Sequence, residues 1–467
     1  YLAGNTTRPD RNAVFQGNIK ADIKFGTDID GQGGTTQIGT GNIGTNDNKK
    51  SEDNVGIYVG SGQRAEMNNT VGTIFQEYFP ATLDFKVDTA MYPNVIGIAD
   101  GTQIGYSYLT ADPIKSLKIK DFETEFGKFS KNGIALVAKN GTVIDINKGS
   151  LITDNAGTGA DRAEGTTMFY AEGVWYNPRK AMTTGVYDKE AYGRGESQTG
   201  RKYLVDFNTA INIADNIAMS SYEGVALFAK DGGKISAKDI SMNGYSSIGA
   251  FASGINDLTG TILSNNTGTG TKADTEITVN NISALGTGTK TDLNDGTNDN
   301  IGVAAITISE NGLTKGTGST TITVLGDLTV NGVGAFAKGD KAVVNVQGTG
   351  STIKTGENGA LVALKGGKVN FSGGTIEHKS TWTNSVTGES SHDGKLTFYA
   401  DDTAGSSINF KGPTTMNIYN GVVFYGDAKD YSSTNTVLAG ETGKYTGMNN
   451  VTINLQNNGV NLGVFKN

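Results

Sequence analysis

The chain reads as an all-β protein, a right-handed parallel β-helix with irregular loop and subdomain insertions. Three observations carry that reading. First, five stretches repeat one pattern: GIALVAKNGTVIDI from Gly133, GVALFAKDGGKISA from Gly224, GAFAKGDKAVVNV from Gly334, GALVALKGGKVNF from Gly359 and LTFYADDTAGSSINF from Leu396. Each is a short apolar run, a turn rich in Gly and charged residues, and a second run of alternating character. A strand-turn-strand unit cannot bury its apolar face alone and has to stack on a copy of itself. Second, the alternating runs share an apolar-polar-apolar triplet. Third, 67 of 467 residues are Gly and only 6 are Pro, no long apolar stretch has helical period, and neither a G-X-Y repeat nor a disordered composition is present.

The triplets are Ile144-Asp145-Ile146, Ile235-Ser236-Ala237, Val344-Asn345-Val346, Val369-Asn370-Phe371 and Ile408-Asn409-Phe410, with relatives at Ile277-Thr278-Val279, Ile322-Thr323-Val324, Met416-Asn417-Ile418 and Ile453-Asn454-Leu455. Successive strand side chains point to opposite faces, so the outer two are expected buried and the middle one exposed. Stacked, the middle residues form a polar ladder on the outside. The turns before these strands, Lys139-Asn140-Gly141, Lys230-Asp231-Gly232-Gly233, Lys338-Gly339-Asp340 and Lys365-Gly366-Gly367, put Gly or Asn where positive φ costs little. Gly224 to Gly249 and Gly334 to Gly359 each span about 25 residues, room for three short strands and three turns. A β-sandwich array and a β-propeller are the competing architectures, and both call for more even periods.

Two regions follow. Residues 1–131 form an N-terminal β-solenoid region with an aromatic insertion; Gly56–Gly60 and Ser116–Lys120 look like its strands. Between Gly60 and Lys115 lie Phe75, Tyr78, Phe79, Phe85, Tyr92, Tyr106 and Tyr108 with Pro80, Pro93 and Pro113, which interrupt strand runs. This stretch is expected to be a subdomain with its own core. Residues 132–467 form the regular β-helix, interrupted at about 157–203 and 379–395. Neither end looks like a polar cap, so the chain is expected to be a piece of a longer array.

Net charge is −8 and there is no cysteine. The acidic balance argues against a nucleic-acid partner, and the missing thiols exclude a disulfide framework. No run of about 20 apolar residues could span a membrane as a helix. The interruption at 157–203 concentrates Phe169, Tyr170, Trp175, Tyr176, Tyr187, Tyr192 and Tyr203 with Arg162, Arg179, Arg194 and Arg201; the other arginines are Arg8, Arg11 and Arg64. Trp, Tyr and Arg anchor interfaces. The candidate ligand-binding residues are therefore Trp175, Tyr176, Arg179, Tyr187, Tyr192, Arg194, Arg201 and Tyr203. The competing reading has these aromatics glue the insertion to the solenoid flank. The second interruption holds Trp382 and His392, with His378 just before it.

Catalytic signals are thin, and the chain is expected not to be an enzyme. Glycosidic cleavage needs two carboxylates facing across a cleft. The one adjacent pair in a repeat, Asp401-Asp402, aligns with the turns of the other repeats. There are only two His and no G-x-S-x-G elbow. Asp28-Ile29-Asp30-Gly31 and Asp292-Leu293-Asn294-Asp295-Gly296 lack the spacing of a calcium loop, so no metal or other cofactor is expected.

Units such as GVALFAKDGGKISAKDISMNG, with their Gly-Ala-Phe-Ala runs and Lys-Gly-Gly-Lys-Val turns, resemble passenger domains of type V autotransporters, most of all the large outer-membrane adhesins of fusobacteria. The resemblance covers Asn132 to Asn467. It implies a β-helix stalk on a bacterial cell surface, exported through a C-terminal membrane barrel that this chain lacks, and attachment to a host cell-surface receptor or glycan or to partner bacteria. The expected protein is thus an extracellular adhesin segment, monomeric, with a role in adhesion, coaggregation and virulence. A passive stalk and a β-helix polysaccharide-cleaving enzyme are the alternatives.

Overall fold

A computed structural model of the chain describes residues 2–3, 18–25, 55–60, 82–89, 95–100, 116–126, 134–139, 143–153, 165–172, 209–220, 222–244, 246–255, 274–286, 300–308, 319–348, 350–355, 359–378, 396–401, 403–419, 421–427, 444–456 and 460–466. These residues are nearly all strand, with one 3-10 turn at Met448–Asn450. Every pairing among them is parallel. That excludes the hairpins of a sandwich array or a propeller for these residues, and it agrees with the all-β, parallel reading of the repeats.

The strands stack in three ladders, visited in turn. Ladder A is a 13-stranded sheet whose strands follow chain order from one edge to the other, each joined to the next by a crossover through the other ladders. Its central strands are Ile134–Lys139, Thr167–Glu172, Val225–Lys230, Ile248–Ile255, Asn300–Ile308, Gly332–Lys338, Leu361–Leu364 and Leu396–Ala400. Ladder B runs through Ala210–Ile213, Thr320–Val324, Ala342–Val346, Lys368–Phe371 and Ser407–Phe410. Ladder C runs through Ile217–Ser220, Leu328–Val330, Ser351–Thr355, Gly374–His378 and Thr414–Ile418. Three longer strands, Val143–Thr153, Lys234–Met242 and Thr275–Ala284, pass through both B and C, pairing by their first halves with one and their second halves with the other. Stacked residues are 23 apart from Gly224 to Ser247, 24 from Asn212 to Ser236 and 25 from Asn345 to Asn370. The turn is thus near the expected length but not constant, and Val225 pairs with Ile248 rather than Gly224 with Gly249.

In-register stacking turns each repeat position into a column. In ladder B, Ile144, Ile211, Ile235, Ile277, Ile322, Val344, Val369 and Ile408 lie one above another, all buried. Ladder C contributes Ile217, Ile240, Ile282, Leu328, Ile353, Ile376 and Met416. Ladder A contributes a column of one residue type: Ala138, Ala171, Ala229, Ala252, Ala305, Ala337, Ala363 and Ala400, again buried. Toward the C-terminal end the core widens to aromatics: Phe398 lies edge-on to Phe410 at 5.5 Å and stacks on Phe424 at 5.3 Å. Burying one such side chain stabilises by about 1.5–3 kcal/mol.

The inner corner where ladder C meets ladder A admits no side chain at three successive levels. A Cβ on Gly302 would lie 2.6 Å from the Gly334 carbonyl oxygen and 2.9 Å from Val330 Cγ2, and Gly249 and Gly334 are as tightly enclosed. Glycine there answers close approach. In the turn Lys365-Gly366-Gly367 it answers conformation, since Gly366 has φ 90.

The ten inward members of the five first-quoted triplets are buried as expected. Asp145, Asn345, Asn370 and Asn409 face outward but are half-buried rather than exposed. Stacking is the reason, because each is covered by the residue above and bonded to it. Asn370 donates to Asn345 (2.8 Å), Asn409 to Asn370 (2.9 Å) and Thr446 to Asn409 (2.6 Å); lower down Asn212 donates to Asp145 and Ser236 to Asn212, both at 2.9 Å. This is the polar ladder the triplets imply.

The interruption expected from Gly157 to Tyr203 is not continuous. Thr167–Glu172 within it is a strand of ladder A, so Phe169 and Tyr170 belong to the repeat; Phe169 is a core residue. Apolar MFYA reads as insertion in a chain scanned for Gly-led repeats, yet it satisfies the same inward and outward positions. The stretch between Gly60 and Lys115 also contains two ladder strands, Thr82–Thr89 and Val95–Asp100.

Candidate functional site

The three outward faces differ in chemistry. On ladder B the exterior column is Asp145, Asn212, Ser236, Thr278, Thr323, Asn345, Asn370, Asn409 and Thr446, and on ladder C it is Ala218, Ser241, Ser283, Thr329, Lys354, Glu377 and Asn417. Ladder A instead turns apolar residues outward. Its middle exterior column is Val137, Tyr170, Phe228, Phe251, Ala304, Phe336, Val362 and Tyr399. Its aromatic members are half-buried, like the asparagines of ladder B, whereas Val137, Ala304 and Val362 are buried. Tyr170 meets Phe228 edge-on at 5.0 Å, and Phe228 lies 4.7 Å from Phe251. Beside it runs a second column of Ile134, Thr167, Val225, Ile248, Ile301 and Val333, in which Thr167 is buried and the others half-buried. A strand with apolar residues on both faces has no period-2 signature.

Along the edge toward ladder B, ladder A carries charge. Glu172 is 3% exposed and holds Lys230 at 3.1 Å; Lys230 also lies 3.7 Å from Asp231. Burial pushes the Tyr170 phenol above its ordinary value, and the Glu172 and Asp231 carboxylates push it further, as does its hydrogen bond to Glu172. Burial works to lower the pKa of Lys230, but the Glu172 and Asp231 charges and hydrogen bonds outweigh it, so the ammonium is held above its ordinary value. The cluster therefore keeps a protonated phenol and a firmly charged amine beside two carboxylates at the foot of the segment that follows Glu172.

The chain's long interruptions are distributed unequally. Between ladders A and B it passes directly at Asp231–Gly233, Gly339–Lys341 and Lys365–Gly367, but leaves at Glu172 to return at Ala210, at Ile255 to return at Thr275, at Ile308 to return at Thr320 and at Asp427 to return at Tyr445. Between C and A it leaves at Thr153, Ala284 and His378 to return at Thr167, Asn300 and Leu396. Among the described residues the corner between B and C is short, spanned by a continuous strand or by a few residues such as Leu325–Asp327 and Lys411–Pro413. Both edges of ladder A, and neither end of the B–C corner, carry the interruptions.

Trp175, Tyr176, Arg179, Tyr187, Tyr192, Arg194, Arg201 and Tyr203 lie outside the described residues, as do Trp382, His392, Asp402 and the two calcium-like stretches. Their flanks are placed. Glu172 ends a ladder A strand, and Thr209, fully buried, accepts a hydrogen bond from the Lys234 amide at 2.9 Å.

The other chemical candidates resolve into structure. Asp401 is a turn residue: its carboxylate accepts from the amides of Lys365 (2.9 Å) and Thr403 (3.2 Å) and from the hydroxyls of Thr403 and Ser406. His378 points into the core in the column of Val330 and Thr355, with Nδ1 2.6 Å from Thr397 Oγ1. Among the described residues no cluster of three or more His, Asp or Glu could hold a metal ion.

The exterior aromatic column is what the sequence reading missed. Its signal is present: in each repeat it is the residue before the column alanine, as in Val137-Ala138, Tyr170-Ala171, Phe228-Ala229, Phe251-Ala252, Phe336-Ala337 and Tyr399-Ala400. No protein family matches the chain, and no curated protein and no solved structure is significantly similar to it.

Proposed function

We propose that the chain is an extracellular segment of a bacterial surface adhesin, a right-handed parallel β-helix that carries ligand-binding insertions to a host-cell receptor or glycan or to a partner bacterium. The observation that carries this reading is the one-sided placement of the interruptions. A passive stalk has no reason to gather its long segments along the two edges of one face, whereas a binding rod does, because a ligand lying on that side meets several of them at once. The right hand follows from the strong preference of parallel strand-crossover-strand units. The segment between Glu172 and Thr209 holds three Arg and six aromatic residues; Arg presents a planar fork to a carboxylate, and Tyr and Trp supply flat area at low entropic cost.

The test is binding of the chain to a glycan array, to a panel of cell-surface proteins and to whole cells, repeated with the double variant Arg194→Ala, Arg201→Ala. Binding that weakens while the melting temperature stays within a few degrees supports the site. Binding that is unchanged removes these arginines from it, and absence of binding to every probe leaves the stalk reading standing.

A further inference from the structure

We infer that Asn243 and Gly244 form a self-modification site, at which the folded chain converts its own asparagine to aspartate and isoaspartate. The step needs water and no enzyme. The Gly244 amide nitrogen attacks the side-chain carbonyl carbon of Asn243. The new C–N bond closes a succinimide ring, and the side-chain nitrogen leaves as ammonia, carrying the amide proton. Water then opens the ring at either carbonyl. One opening yields aspartate. The other yields isoaspartate, in which the chain runs through the former side chain and the backbone is longer by one methylene.

The corner meets what this reaction asks for. Glycine has no Cβ to shield the attacking nitrogen. Asn243 is exposed, just past the end of the strand Lys234–Met242. Its backbone N–H donates to the Met219 carbonyl at 3.0 Å. Among the described residues, its side-chain amide makes no hydrogen bond, and neither does the Gly244 N–H.

A second Asn-Gly pair shows the contrast. Asn331–Gly332 holds the equivalent position two levels on, since Met242 stacks on Ala284 and Ala284 on Val330. There Asn331 Nδ2 donates to the Gly286 carbonyl at 2.9 Å, and Asn331 Oδ1 accepts from Asn300 Nδ2 at 2.6 Å. Asn300 heads a ladder A strand, in a column that runs Gly224, Ser247, Asn300. The member of that column one level below the Asn243 corner is Gly224, which has no side chain to offer. The same corner thus ties down one asparagine and leaves the other free to react.

Isoaspartate is the disruptive product. The Asn243–Gly244 peptide lies so close to Gly286 of the next level that a Cβ there would overlap the carbonyl groups of both residues. An extra backbone atom pushes this peptide against a neighbour already in contact with it. Aspartate keeps the backbone and leaves the level intact. The inference stands independently of the adhesin reading.

The experiment is incubation of the intact chain at neutral and at mildly alkaline pH, in buffer and in concentrated urea. Samples taken over time are read by peptide mass spectrometry with isoaspartate detection. In the folded chain, Asn243 is expected to convert to the acid with isoaspartate present, faster at the higher pH because attack needs the deprotonated nitrogen. Asn331 in the same samples is expected to convert roughly 30-fold more slowly, the worth of its two hydrogen bonds. In urea the two sites are expected to convert at similar rates. Chain aged to conversion at Asn243 is expected to unfold at a lower urea midpoint than fresh parent, whereas Asn243→Asp matches the parent. No conversion at Asn243 in the folded chain, equal rates at the two sites in the fold, or a difference that persists in urea would overturn the inference. An aged chain as stable as the parent, or an Asn243→Asp variant as weak as the aged chain, would overturn the consequence assigned to isoaspartate.

Discussion

Gly302→Ala tests whether ladder A and ladder C close on each other as tightly as the stacked columns imply. Two effects oppose. Gly302 does not lie at positive φ, so alanine fits the backbone, and loss of unfolded-state freedom would stabilise by about 0.4–1 kcal/mol. Against it, the new methyl would sit 2.6 Å from the Gly334 carbonyl oxygen and 2.9 Å from Val330 Cγ2. The first contact is to backbone that is itself hydrogen-bonded into the next level through the Gly334 amide and the Gly359 carbonyl at 3.2 Å, so a strand has to move rather than a rotamer. Overpacking of this kind costs about 1–3 kcal/mol. The clash wins, and the net expectation is a loss of about 1–2 kcal/mol. Equilibrium urea unfolding followed by circular dichroism measures it, as a lower midpoint at unchanged slope. Hydrogen exchange should locate the loss in Asn300–Ile308 and Gly332–Lys338, since each level of a stacked array depends on its neighbours. A variant as stable as the parent, or more so, would refute the argument that backbone closes this corner.

Three further outcomes follow from the same columns. Phe371→Ala, in the fully buried part of ladder B, should cost about 3–5 kcal/mol, whereas Asn370→Ala, which breaks two half-exposed ladder bonds, should cost about 1–2 kcal/mol; urea midpoints for the two rank core against exterior. The folded-state pKa values of Tyr170 and Lys230 are raised from 10.0 and 10.5, so their contribution is complete below those ordinary values and is lost as pH rises through the folded ones. Stability should therefore fall on the alkaline side, and Glu172→Gln should make the fall shallower in a pH series of urea midpoints. Small-angle scattering should show an elongated particle, because the 13 strands of ladder A at about 4.8 Å each make a stack on the order of 60 Å; a compact sphere would contradict the stacking.

Much of the architecture is legible in one dimension. Side-chain alternation makes Val344-Asn345-Val346 a half-buried strand wherever it sits, and repetition of the triplet requires a partner of like kind, which parallel stacking supplies. The turn glycines are legible for the same local reason, since Gly232, Gly339 and Gly366 take positive φ within four residues of chain. Register is not local. That Tyr170 belongs beneath Phe228, and Phe228 beneath Phe251, depends on steps of unequal length between levels, and a Gly-to-Gly alignment misplaces them by a residue or two. A slip of one residue reverses the face of every side chain, so inward Phe169 and outward Tyr170 become distinguishable only when the strands are paired. The half-burial of Asn345, Asn370 and Asn409 is likewise a property of the stack: each is shielded by its neighbour one turn away, a contact that lies 25 to 39 residues off in the chain. By itself the sequence determined which residues seek the interior of a strand stack and where the chain turns. The tertiary structure decided which side of ladder A its apolar run faces and along which edges the long segments leave, because both depend on how far apart in the chain two stacked residues are.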